Sequence, residues 1–120
     1  MGREIGFDEE NVILKLNGAT GFFALKFELL LPYHTIKSVH VDYFDAPLWM
    51  LRMPGTSVPP LSIFEGSFKY KDEWYFLSYE HRVPLVIIEL EGHEKYTYVI
   101  FEMDDPIAVT ASIRRHSNKK

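Results

Sequence analysis

Residues 96–115 restrict the fold of this chain more than any other stretch. Tyr96–Met103 reads as a strand, Asp104-Asp105 as an acidic turn and Pro106–His116 as one short helix. In the strand, Thr97, Val99, Phe101 and Met103 share one face and Tyr98, Ile100 and Glu102 the other, so both faces are apolar almost to its end. Asp105 suits a helix N-cap, because its carboxylate accepts N–H groups that the first turn leaves unpaired. Pro106 then stands at N1, where a missing N–H is harmless. Pro106, Val109 and Ile113 form an apolar stripe at helical spacing, and Arg114 and Arg115 favour the negative end of the helix dipole. A lone C-terminal helix behind a β-rich chain has only the preceding strands to pack on. These residues define a fold and name no chemistry.

The 120 residues are enough for one domain with a sizeable core, and 47% apolar with 15% aromatic content suits a folded chain. The chain has no cysteine, which excludes disulfides, Cys-based zinc sites and thiol nucleophiles together and points to a reducing cytoplasm. The first residues carry no apolar core of a signal peptide, and no apolar run is long enough for a membrane helix. Gly6 stands where a myristoylation motif needs Ser or Thr. The net charge is −4, but Arg114, Arg115, Lys119 and Lys120 follow Asp105 with no further acid, leaving −8 on the body (9 basic against 17 acidic residues). An acidic body repels phosphate backbones, so nucleic acid is not an expected partner.

In chain order, residues 1–11 read as a loose polar lead-in and Val12–Leu16 as a strand. Asn17–Thr20 forms a hairpin loop and Phe22–Leu31 a strand with one wet face, ended by Pro32. Thr35–Phe44 shows the clearest alternation, with Val39, Val41 and Tyr43 opposed to Ser38, His40 and Asp42. Leu48–Met53 is a further strand. Pro54-Gly55-Thr56 and Pro59-Pro60 then make a stiff loop, since proline lacks a ladder donor. Leu61–Tyr70 resumes β character, with Gly66 marking a bulge or a close backbone approach. After the turn Lys71–Glu73 come an aromatic strand, Trp74–Tyr79, a branched one, Pro84–Leu90, and a hairpin loop, Glu91–Lys95. About seven or eight short strands and one helix, with no βαβ rhythm, predict a mainly β, antiparallel barrel or sandwich.

Several short stretches in this order resemble the small bacterial members of the pleckstrin-homology-like (PH-like) superfamily. They are Leu31-Pro32-Tyr33 leading into Ile36–Val39, then Arg52–Thr56, then Gly66-Ser67-Phe68, then Tyr98-Val99-Ile100 running into Asp105-Pro106. The resemblance covers roughly residues 12 to 115. It implies an antiparallel barrel of about seven strands capped by the C-terminal helix, and an adaptor or assembly role. Members that bind phosphoinositides carry a basic cluster at the first hairpin. Here that region offers only Lys15 and Lys26, beside Glu28, a poor cradle for phosphate.

Catalytic patterns are missing: there is no Gly-x-Ser-x-Gly, no His-Glu-x-x-His and no phosphate-binding glycine loop. His40 and Asp42 share a strand face and could set two metal ligands side by side, but a wet sheet face carries the same alternation. Asp104-Asp105 and Asp72-Glu73 sit in turns that favour acids for backbone reasons. Two features suit a partner instead. Arg52-Met53-Pro54-Gly55-Thr56 makes a preorganised edge, although Arg52 could equally pair with Asp45 or Glu65. Trp49, Trp74, Tyr75, Phe76 and Tyr79 cannot all lie on one face.

The sequence therefore predicts a single cytoplasmic, non-enzymatic PH-like domain over 1–120, with a loose basic tail at 117–120. It would act by protein contact, as a homo-oligomer, through a surface containing Trp49, Arg52, Thr56, Trp74 and Tyr75. No cofactor or metal is expected. The alternative is small-ligand or lipid binding at the barrel mouth, as in lipocalin-like proteins; lipid would use Lys15, Lys26 and the basic tail.

Overall fold

The computed structural model describes residues 3–17, 28–44, 51–58 and 63–118, with the backbone alone at 51–58, 63, 64 and 118. Three strands, β1 (Arg3–Phe7), β2 (Asn11–Leu16) and β3 (Glu28–Pro32), form a small antiparallel sheet in that order. A 3-10 turn at Tyr33–Thr35, closed by the Thr35 hydroxyl on the Pro32 carbonyl at 2.7 Å, swings the chain into a second sheet. That sheet contains β4 (Ile36–Asp42), β5 (Leu51–Val58), β6 (Ile63–Tyr70), β7 (Glu73–Tyr79), β8 (Leu85–Leu90) and β9 (Tyr98–Phe101), in the order β4-β8-β9-β7-β6-β5. One helix, α1 (Pro106–Asn118), follows and packs on β4, β8 and the 3-10 turn. No helix among the described residues is long and apolar enough to cross a membrane.

The mainly β fold with a C-terminal helix is as expected; the closed barrel is not found. Among the described residues there are nine strands in two sheets, and no ladder joins the sheets. Nor is the pairing wholly antiparallel: β9 enters between β8 and β7 and runs parallel to β7. The Leu90 N–H donates to the Thr97 carbonyl and the Thr97 N–H to the Trp74 carbonyl, each at 2.8 Å, and these bonds guide the chain into that slot. The central place suits β9, because Val99, Ile100 and Phe101 are apolar on both faces and at most 1% exposed.

Three local expectations need correction. Residues 3–7 are a strand rather than a lead-in: Ile5 and Phe7 pack on the core and Arg3 is buried. Residues 54–56 lie within β5 rather than in a loop. Proline is tolerated there because β5 ends the sheet and its register against β6 slips by one residue between Arg52 and Gly55. Opposite that slip, Gly66 adopts φ 127°, a conformation that a side chain strongly disfavours. Third, Ser117 and Asn118 extend the helix; they are not part of a loose tail. The hairpin at 17–20, the start of the strand expected from Phe22 and Pro59-Pro60 fall wholly or partly outside the described residues.

The helix is built as its sequence dictates. The Ala108 N–H donates to Asp105 Oδ1 at 3.1 Å, which is the N-cap bond. Ile113 is fully buried, with Val109 packed beside it. They close the main core, where β2 and β3 (Val12, Leu14, Leu16, Leu29, Leu31) face Val39, Phe76, Val86, Ile88, Val99 and Phe101 of the large sheet. The opposite face of that sheet carries a second buried cluster, Phe68, Leu77, Tyr79, Leu85, Ile87 and Ile100.

Candidate functional site

Of the residues expected to form one surface, side chains are described for Trp74 and Tyr75 alone, and these two lie on opposite faces of the large sheet. Trp49 is outside the described residues. Arg52 and Thr56 sit in β5 at the register positions opposite Phe68 and Glu65. Trp74 and Tyr75 are neighbours in β7 and so serve opposite faces. Trp74 packs half-buried on the main core, with the Lys95 ammonium 4.7 Å and the Lys69 ammonium 5.7 Å from its ring centre. Tyr75 belongs to an aromatic group on the other face, stacked on Tyr98 at 5.0 Å, with Phe44 at 6.1 Å and Tyr70 at 6.4 Å. Burial first, then the nearby Glu73, Tyr98 and Tyr70, push the Tyr75 phenol up to about 12.

His40 and Asp42 point away from the main core with Ser38, exposed on the sheet's other face. No group of three His, Cys, Asp or Glu side chains suited to a metal occurs among the described residues. Lys15 stands between two acids, opposite Glu4 on β1 and Glu28 on β3 in the register of the small sheet.

A buried polar cluster lies where sequence patterning offers little sign of one. Arg3 of β1, 4% exposed, inserts between the sheets. Its Nε donates to Ser78 Oγ at 2.7 Å and its Nη2 to Glu65 Oε2 at 2.8 Å, with Glu80 at 3.4 Å. The Ser78 hydroxyl in turn donates to Glu65 Oε1 at 2.6 Å. Burial raises the Glu65 carboxyl to about 7; Ser78 and Arg3 pull it down and Glu80 pushes it further up. Among the described residues Arg3 Nη1 makes no hydrogen bond. Glu65 therefore pairs with Arg3; the side chain of Arg52 lies outside the described residues. Next to this cluster Glu102, 5% exposed, accepts the Glu80 and His81 N–H groups at 2.8 and 3.0 Å and meets His81 Nδ1 at 2.7 Å. The cluster ties the N-terminal strand and the β7–β8 turn to the large sheet. The only sequence signal was the alternation of Arg3, Ile5 and Phe7, which puts all three on one face.

The other site is an edge. The order of the large sheet leaves β4 and β5 at its two ends. The bond from the Leu90 N–H to the Thr97 carbonyl aims the even-numbered residues of β8 at β9. Val39 and Val41 lie opposite Ile88 and Val86, so their N–H and C=O groups point out of the sheet. The Arg114 guanidinium donates to the Val39 carbonyl there. Beside this edge lies a groove of about 360 Å³, lined by Ile36, Lys37, Ser38, Val39, Arg114 and Ser117. Lys37 reaches Glu89 at 3.6 Å, and both side chains are partly solvated.

Among the described residues the main core is tightly filled. Val12, Leu14, Leu31, Phe76, Val86, Ile88, Val99, Phe101 and Ile113 are all 0% exposed, so no water-sized void touches them. Comparison with family models, curated proteins and solved structures gives no match for this chain.

Proposed function

We propose that this chain is a non-enzymatic interaction module of PH-like layout, which works by protein–protein contact and associates with itself. The observation that carries this reading is the open six-stranded sheet, whose end strands β4 and β5 each pair on one side only among the described residues. An edge strand offers a row of backbone donors and acceptors that another extended chain can complete. β5 is the edge for self-association. Its regular stretch Gly55–Val58 pairs cleanly with β6, while Pro54 and the register slip confine new pairing to that half. A ligand held inside the fold fits less well, because the described side chains of the main core are packed with no water-sized void against them. Phosphoinositide binding at the first hairpin also fits poorly, because Glu4 and Glu28 flank Lys15.

The test is the solution mass as a function of concentration. Association should raise the mass above the 14.0 kDa of one chain. Replacing Ser57 by proline, in the regular half of β5, should return it to that of a monomer. An oligomer indifferent to Ser57→Pro would remove β5 from the account, and a chain monomeric at every concentration would remove self-association.

A further inference from the structure

The β4 edge differs from β5 in what surrounds it. The two charged side chains that line its groove, Lys37 and Arg114, are both basic, with Glu89 3.6 Å from the Lys37 ammonium. The outward backbone groups of Val39 and Val41 are a template for two hydrogen-bonded positions of an added strand. One of them, the Val39 carbonyl, is held by a side chain and not by backbone. Arg114 is exposed apart from this bond, so exchanging it for an incoming backbone N–H leaves no buried charge behind. The freed guanidinium then has its fork of donors available, the geometry that matches a carboxylate.

Resting on the interaction-module reading, we propose that the β4 edge takes an extended acidic segment of a partner protein. The segment adds a strand against Val39 and Val41 and lays a carboxylate between Lys37 and Arg114. Arg114 thus guards the edge when it is empty and recognises the acid when it is filled. A second copy of this chain is a poorer occupant. Pairing two β4 edges about Val39 would bring their Arg114 guanidiniums together, and like charges at that range repel. Phosphate-bearing partners would also find the basic pair, but the row of outward backbone groups selects an extended polypeptide.

Fluorescence anisotropy with two labelled peptides tests this on the full chain: Thr-Val-Glu-Val-Glu-Val-Thr and the same sequence with Lys for each Glu. The acidic peptide should bind, more weakly as salt rises, and about tenfold or more tighter than the lysine peptide, the worth of one charge-assisted pair. Val41→Pro removes an outward N–H and leaves the β8 ladder alone, so it should lower affinity for both peptides by about tenfold. Arg114→Gln, an exposed change that spares the fold, should erase most of the preference for the acidic peptide. An acidic peptide that fails to bind, that binds no better than the lysine version or that ignores Val41→Pro overturns the proposal. A chain that self-associates but ignores the acidic peptide loses this inference and keeps the module reading. A monomer that binds it keeps this inference and loses self-association.

Discussion

Arg3 carries more of this structure than its place near the start of the chain suggests. Taking a guanidinium out of water is expensive, and Glu65, Ser78 and Glu80 offset that with three hydrogen bonds. Arg3→Met should therefore lower stability by about 3–5 kcal/mol, because Glu65 is left buried without its cation, whereas the double variant Arg3→Met/Glu65→Leu should recover most of the loss. Urea midpoints measure both; a double variant no better than the single one would contradict the pairing. Glu65 also sets a pH dependence. Its folded value, about 7, lies above the ordinary 4.5, so the native state binds a proton that the unfolded chain releases. The contribution is present in full below about 4.5 and is lost as pH rises through about 7. Glu65→Gln should flatten the fall in stability across that window; an unchanged slope would assign it to another group.

Among the elements, the β6–β7 hairpin and the helix cap show how local chemistry sets boundaries. Tyr70 pairs with Glu73 across a two-residue turn, and Lys71 and Asp72 both have positive φ, at 51° and 65°. That is the mirror-image turn which matches strand twist and prefers Asn-Gly. Replacing Lys71-Asp72 by Asn-Gly should raise stability by about 1 kcal/mol, roughly 4 °C in the melting midpoint, which calorimetry would read. Asp105→Ala should lower it by about 1 kcal/mol through loss of the cap on Ala108. The cap, Pro106 and the stripe Val109–Ile113 were legible in the sequence because each acts within one or two turns. So were the alternation in β4, with Val39 inside and His40 outside, and the aromatic strand β7. Three features were not. The pairing of β9 with β7 depends on where a loop of seven residues, 91–97, returns the chain. The strand character of Arg3–Phe7 was hidden because its inward charge finds its partners 62 and 75 residues away. Pro54 could be read as a breaker but not as an edge residue, since edge position belongs to the sheet.

For the whole molecule, the decisive property is that the larger sheet is open at both ends among the described residues. The mainly β character and the terminal helix followed from patterning, but closure did not, because closure depends on which strands meet and not on their number. Within the expected surface of Trp49, Arg52, Thr56, Trp74 and Tyr75, the last two part for a related reason. Trp74 and Tyr75 are sequence neighbours on a sheet with two apolar faces, so each was drawn into a different layer. What faces outward is backbone: the β5 edge, and the β4 edge guarded by Arg114. The most direct check of an interaction module is the solution mass by light scattering on a sizing column over a wide concentration range. The account predicts a defined oligomer, rising from 14.0 kDa towards a multiple of it. A mass that stays at 14.0 kDa throughout would contradict self-association.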